Sequence, residues 1–403
     1  MKKHLLSVCL LGALALAPTG RAACPEHFSP AARALLADSI ELEKNEHCLN
    51  VIYFLGNDNE PVAGYERRLS ELLLYLQQFY GKEMARNGFG RRSFGLARKE
   101  NGDVDILVIR GKRPAATYAY DGDFVHCLKE IGEYFVAHPE QKRSRHSFII
   151  MPTFYNEQYN DANPGGVPFF GYGVNCFALD YADFDISHLG QETDKGRLLT
   201  KWYGGFAHEL GHGLNLPHNN GPASMNEALG TPLMNAGNYT FGSSPTYLTP
   251  ASCNILDRSE TFAIAGDKTN FYTSSVALPV AKQARCVYDG EKLTLTFRCE
   301  GPCVHVNAYL QEPPYVVNQD YDAVAFAGEM SESAPDGSRE LRFVIPRSEL
   351  KSLHSDRQQL ELLFVGPDGN RSRWKKEFLW SELEKNPEAL GMPESFTPER
   401  AEY

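Results

Sequence analysis

Val51 to Gly56 (VIYFLG) is a continuous apolar run, short enough to read as a buried strand. From Tyr65 to Met84 the residues Tyr65, Leu69, Leu72, Leu73, Leu76, Phe79 and Tyr80 recur at helical spacing and predict an amphipathic helix. Ser93–Lys99 and Val104–Arg110 flank Asn101-Gly102, a dipeptide that predicts a hairpin between them. Phe124–Phe135 again follows a helical period, and Phe148–Pro152 (FIIMP) predicts another buried strand. Strand, helix, two strands, helix, strand is the order of an α/β or α+β unit with helices laid on a sheet.

The texture changes near Tyr272. Lys292–Phe297, Cys303–Leu310, Ala323–Phe326, Leu341–Ile345 and Leu360–Val365 are short alternating runs. Turn signals separate them, among them Asp289-Gly290, Asp336-Gly337 and Asp368-Gly369. This pattern predicts a small all-β sandwich over residues 272–380, followed by a polar tail, 381–403. Its single histidines, His305 and His354, read as structural. At the other end, residues 23–47 form a mixed N-terminal segment, best helical over Ala31–Glu43, that reads as a brace or a pro-segment.

Residues 48–271 contain the stretch that carries chemistry, TKWYGGFAHELGHGLNLPHNNGPASMNEALGTPLM, from Thr200 to Met234. His208 and His212 are four apart, so a helix places both imidazoles on one face, where they can fill two corners of a zinc tetrahedron. Glu209 can reach a water on the metal. Pro217 ends the helix, and Asn215 tolerates the left-handed conformation that would turn the chain and return His218 as third ligand. Three nitrogens leave a fourth position open, the catalytic pattern of zinc. Trp202, Phe206, Leu210 and Leu214 should anchor the helix in the core. Gly204, Gly205, Gly211 and Gly213 weaken it but allow close packing beside the metal.

HELGHGLNLPH resembles the metzincin signature HExxHxxGxxH, with Asn215 in place of the family glycine. Met234, in PLMNAGN, resembles the methionine of the metzincin Met-turn, with Met225 a weaker candidate. The resemblance implies an α+β fold: a metzincin-like catalytic domain with a mixed twisted sheet, here followed by the sandwich. It implies a catalytic Zn²⁺ on His208, His212 and His218, with Glu209 as general base and Met234 as an apolar floor. It also implies that Gly171–Leu179, in a loop region rich in Gly, Asn and aromatics (155–190), pairs with extended substrate by strand addition. A surface-loop reading of that region stands beside it. Tyr239 is either an oxyanion donor, as a tyrosine is in some metzincins, or a packing aromatic. Asn226-Glu227 invites a gluzincin reading with Glu227 as third ligand, but Glu227 lies fifteen residues past His212 with Asn-Asn-Gly-Pro between, so His218 is preferred. No Walker, dinucleotide or GxSxG motif is found.

Composition adds compartment and partners. Lys2 and Lys3, an apolar run from Leu5 to Ala17, and small residues at Gly20 and Ala22 predict a signal peptide over residues 1–22. The run is too short for a membrane span, so a secreted or periplasmic protein is expected, with lipid anchoring at Cys24 ranked second because of Arg21. The 40 Lys and Arg, less Lys2, Lys3 and Arg21, then face 51 Asp and Glu, a net charge of −14. That excludes a polyanion binder, so nucleic acid is not an expected partner. Eight cysteines remain after Cys9 leaves, and an exported chain predicts disulfides, paired here as Cys24–Cys48, Cys127–Cys176, Cys253–Cys286 and Cys299–Cys303. The expected function is an exported zinc endopeptidase acting on protein or peptide, including glycoprotein. The alternatives are a zinc amidase acting on cell-wall peptide and a non-catalytic zinc-containing binding protein.

Overall fold

The computed structural model describes residues 24–120, 122–315 and 321–401. The expected leader lies outside them. The continuous apolar run becomes β1 (Asn50–Leu55), buried along its whole length. The helical period becomes α2 (Tyr65–Arg86), behind a short α1 (Pro30–Leu35) in the N-terminal segment. β2 (Leu107–Arg110), α3 (Phe124–Ala137), β3 (Ser147–Pro152), β4 (Gly171–Tyr172) and β5 (Asn175–Asp180) follow. The sheet order is β2-β1-β3-β5-β4, parallel except for β4, which runs antiparallel to β5 at the edge.

The expected hairpin at Asn101-Gly102 shrinks to a tight turn with one bridge, Arg98 to Val104. Gly102 takes the positive φ there (92°), but β2 then leaves its neighbour and pairs parallel with β1. A parallel partner buried on both faces outcompetes the local antiparallel ladder.

Alternation on β5 shows which helix covers which face. Cys176 meets Gly213 of α4 (Asp194–Gly213), whereas Phe177 lies edge-on to Phe124 of α3. The zinc-motif helix and α3 therefore cover opposite faces. α2 is tied to α4 by Tyr80 Oη donating to the Ala207 carbonyl (3.1 Å) and Tyr203 Oη to the Leu72 carbonyl (2.7 Å). Beyond α4 come α5 (Ala223–Leu229), a two-stranded parallel pair β6 (Thr231–Pro232) and β7 (Thr246–Tyr247), and α6 (Pro250–Leu256).

Each alternating run supplies a strand. β8 (Val280–Tyr288), β9 (Lys292–Glu300), β12 (Glu329–Met330) and β13 (Arg339–Pro346) form one antiparallel sheet with β16 (Ser395–Phe396). β10 (His305–Gln311), β11 (Val324–Ala327), β14 (Arg357–Val365), β15 (Arg371–Leu379) and β17 (Glu399–Arg400) form the other. Leu295, Phe297 and Phe343 of the first share a core with Leu310, Leu362 and Phe364 of the second. β14 is buried on both faces: Leu362 and Phe364 enter that core, while Leu363 and Val365 enter the core of the α-helical unit. At this seam Asn254 of α6 donates to Asn307 Oδ1 (2.7 Å), and Asn307 donates to the Ala251 carbonyl (2.8 Å).

Two expectations differ here. The segment read as a polar tail contributes α7 (Trp380–Leu383, starting just before it), β16 and β17, the strands pairing with β8 and β15. The expected disulfides are absent, because all eight cysteines of the described residues are free thiols. Cys253 and Cys286 lie in different cores, and burial pushes the Cys127 and Cys176 thiols well up, as befits small apolar fillers. Cys299 lies beside Cys303, whose thiol donates to the His305 carbonyl (3.3 Å).

A buried ion pair holds the sheet to α2. Arg68 donates to Asp180 Oδ1 (2.7 Å) and to the carbonyls of Tyr181 and Phe184 (both 3.0 Å), and Tyr53 Oη donates to Asp180 Oδ2 (2.9 Å). Both charged groups are buried, so removing one strands the other. Asp180→Ala should lower the unfolding free energy by about 3–5 kcal/mol in urea melts, and the double variant Arg68→Met/Asp180→Leu should lose less. An unchanged midpoint in the single variant would refute this account.

Candidate active site

α4 starts at an N-cap, Thr193, whose hydroxyl accepts from the Gly196 N–H (3.1 Å). Phe206, Leu210 and Leu214 are fully buried as the anchoring stripe. Trp202 is only partly buried, edge-on to Phe169. The glycines do allow close approach: a Cβ on Gly204 would sit 1.8 Å from the Asn238 carbonyl oxygen, and one on Gly211 2.5 Å from Met234 Sδ.

The helix ends as the sequence implies. Asn215 adopts φ 70°, its N–H bonds to the His212 carbonyl (2.8 Å), and the Leu216 N–H bonds to the Gly211 carbonyl (2.9 Å). This is a Schellman ending with Asn in the left-handed position. It turns the chain so that His218 faces the two helical histidines.

His212 Nε2 lies 3.1 Å from both His208 Nε2 and His218 Nε2. These contacts are not hydrogen bonds. His208 Nδ1 donates to the Leu233 carbonyl and His212 Nδ1 to the Leu216 carbonyl, both at 2.8 Å, so the single proton of each neutral ring is already placed. Burial pushes His208 down to about 4 and His212 well down, favouring the neutral rings. Lone pairs therefore face one another, an arrangement that a cation relieves. Zn–N bonds of about 2.0–2.1 Å in a tetrahedron put nitrogens about 3.3 Å apart, so the donor set fits zinc. Carbonyl partners on the outer ring nitrogens are the usual orienting contacts of metal-bound histidine.

Glu209 is pushed up to about 8 by burial, with the Gly171 N–H acting the other way. A cation on the histidines would also favour the carboxylate. Gly171 is thus fixed against the site. A Cβ there would lie 2.2 Å from His212 Cβ. Met234 is buried beneath the helix, and its carbonyl accepts from the Asn219 N–H (3.1 Å). Glu227 is exposed on α5 and lies outside the histidine cluster, and Met225 is half-buried on the same helix. Tyr239 is 65% exposed, which does not match a packing aromatic.

Sequence reasoning missed Tyr321. Its ring stacks on His218 (centroids 3.9 Å apart) and lies nearly parallel to His208 (11°, 5.7 Å), and burial pushes its phenol up, with Tyr239 and Glu209 near enough to act the same way. It stands in the polar run Asn-Gln-Asp-Tyr-Asp, where nothing in the pattern marks it. The sandwich also holds the histidine-bearing loop. Arg371 donates to the Asn215 carbonyl. The Asn220 N–H donates to the Ala323 carbonyl (2.7 Å), and the Asn220 carbonyl accepts from the Ala325 N–H (2.9 Å). Behind the helix end, His146 bonds the Gly213 carbonyl and the Tyr272 hydroxyl, both at 2.7 Å.

Gly171→Ala tests the close approach of β4. The added methyl must displace either β4 or His212, and a misplacement near 1 Å costs about 10²-fold in rate. The expected outcome is a loss of that order in kcat/KM with an unchanged far-UV circular dichroism spectrum. Full activity would show that β4 does not set the position of the site.

No protein-family model matches the chain, and no curated protein does. Solved structures do. Wild-type OgpA from Akkermansia muciniphila is 48% identical, with 86% of this chain and 97% of that chain covered and a TM-score of 0.82. Catalytically inactive OgpA from the same organism, solved in complex with an O-glycopeptide substrate (glycodrosocin), is 47% identical over the same shares, with a TM-score of 0.82. With nearly half of its residues identical across almost the whole of that relative, this chain belongs to the OgpA family.

Proposed function

We propose that this protein is a zinc-dependent endopeptidase of metzincin type that cuts O-glycosylated protein or peptide. The observation that carries the reading is the convergence of three imidazole lone pairs beside Glu209. The O-glycopeptide substrate bound to the related OgpA supports the substrate class. His208, His212 and His218 would hold the metal. Zinc bound there would supply Lewis acidity toward a carbonyl oxygen and acidify a water.

The remaining work falls to the chain. β4 is the edge of its sheet, with an outer rim of backbone groups on which an extended peptide can pair as a further strand. Gly171 sits on that rim against His212, with its N–H acting on Glu209, so a peptide laid there would have its backbone beside the carboxylate. Glu209 takes the proton of the attacking water and delivers it to the leaving amine. Tyr239, exposed and near Tyr321, would donate to the developing oxyanion. Met234 gives the imidazoles an apolar floor.

Glu209→Gln should retain the metal and lower kcat by about 10²–10⁴-fold, the span of general acid–base catalysis. Undiminished turnover would remove Glu209 from its role. A chelator should abolish cleavage of an O-glycosylated mucin-type peptide, and added Zn²⁺ should restore it. Digestion of peptidoglycan in place of that peptide would instead establish the amidase reading.

A further inference from the structure

The Gly213 carbonyl is one of the groups that the end of α4 leaves without a helical partner. The Schellman turn uses the carbonyls of Leu210, Gly211 and His212. Gly213 comes next and is buried, with Cys176 Sγ 2.7 Å from where a Cβ would stand. Its carbonyl therefore needs a donor from the protein.

His146 supplies it. This residue directly precedes β3, is fully buried, and takes no part in the chemistry described above. A carbonyl only accepts, so Nδ1 carries the ring proton and donates to Gly213 (2.7 Å). Burial favours the neutral ring, so Nε2 must accept. The donor there is the Tyr272 hydroxyl (2.7 Å), whose oxygen accepts in turn from the Glu260 N–H (3.1 Å). Each proton in this row has one place. No member can turn without leaving a buried group unpaired, so the row transmits position.

Tyr272 is held as firmly. It is a bulky residue at φ 53°, a strained conformation that its surroundings must maintain. Its N–H donates to the Asp368 carbonyl (2.8 Å), in the turn between β14 and β15. Its ring lies against Gly369, where a Cβ would come within 2.7 Å of Cε1, and the Arg145 guanidinium is 5.9 Å from the ring centre. Just past the same turn, Arg371 reaches the Asn215 carbonyl. One corner of the sandwich thus holds the carbonyls on both sides of Leu214, one directly and one through Tyr272 and His146. Leu214 is where the chain leaves the helix between His212 and His218.

We propose that His146 and Tyr272 are positioning residues of the histidine cluster: they fix the Gly213 carbonyl, and with it the bend that sets His218 against His208 and His212. They act through Gly213 and touch none of the three imidazoles. This inference rests on the zinc-peptidase reading above and adds to it the residues that hold the two units in register.

The test measures zinc affinity of the full chain by competition with a chromogenic chelator, with turnover of an O-glycosylated peptide read beside it. Loss of a partner outside the ligand set costs about 10–100-fold in metal affinity or activity. His146→Leu removes the donor and should weaken zinc binding by about tenfold and lower kcat by a similar factor, with KM unchanged. His146→Asn, whose amide N–H can take the place of Nδ1–H, should recover most of both. Asp180→Ala loosens the sheet at the other end of β5 and controls for lost stability, so its zinc affinity should match the wild type. Tyr272→Phe deletes one hydroxyl, strands Nε2 and the Glu260 N–H, and should shift zinc affinity in the same direction; it carries the test if His146→Leu does not fold. An unchanged zinc affinity in the folded His146→Leu or Tyr272→Phe chain would overturn the assignment. So would a loss that His146→Asn does not recover, or one that Asp180→Ala shares. A wild-type chain that binds zinc without cutting the glycopeptide would count against the peptidase reading alone, because the zinc comparison still decides the positioning role.

Discussion

Three imidazole nitrogens gathered about one point, with His212 Nε2 3.1 Å from both His208 Nε2 and His218 Nε2, are the constraint on which the rest of the site depends. In a protein interior such an arrangement is unfavourable without a cation, so the chain must spend contacts to hold it. Two ring protons are committed to backbone carbonyls, at Leu233 and Leu216. The third ring is carried round by the left-handed Asn215 and covered by Tyr321. The glycines of α4 let the Met234 turn and the Asn238 segment approach the helix closely enough to supply the Leu233 carbonyl from below. Each of these features costs local helix or loop stability. Together they define one position for a metal.

The second unit is part of this constraint. β14, in its second sheet, is buried on both faces and shares the core of the first unit. Arg371 holds the Asn215 carbonyl, β11 brackets Asn220, and Tyr321 reaches over His218. The loop that carries His218 is thus clamped from outside the helical unit. Sandwich and site form one mechanical piece.

Much of this was legible from residues alone. The helical spacing of His208 and His212, the break at Pro217 and the tolerance of Asn215 for positive φ led to the geometry that the structure shows, because each depends on local backbone physics. The strands of the sandwich were legible for the same reason: β9 buries alternate residues from Leu293 to Cys299. What was not legible depends on tertiary context. The hairpin at Asn101-Gly102 yielded to a parallel partner, Ile52–Leu55 of β1, paired with Leu107–Arg110. The cysteine pairs read from an even count turned out to be free thiols, six of the eight in the described residues buried. Tyr321 and Arg371 contact the site across more than 100 residues of sequence, in runs with no distinguishing period.

The central claim is that His208, His212 and His218 bind one zinc ion through Nε2, and X-ray absorption at the zinc edge of the purified chain addresses it most directly. The account predicts one zinc per chain with three nitrogen neighbours at about 2.0–2.1 Å and one lighter oxygen neighbour, and loss of that signature in His212→Ala while the fold persists. A chain that purifies without zinc and takes none up, or one whose zinc signature survives His212→Ala, would contradict it.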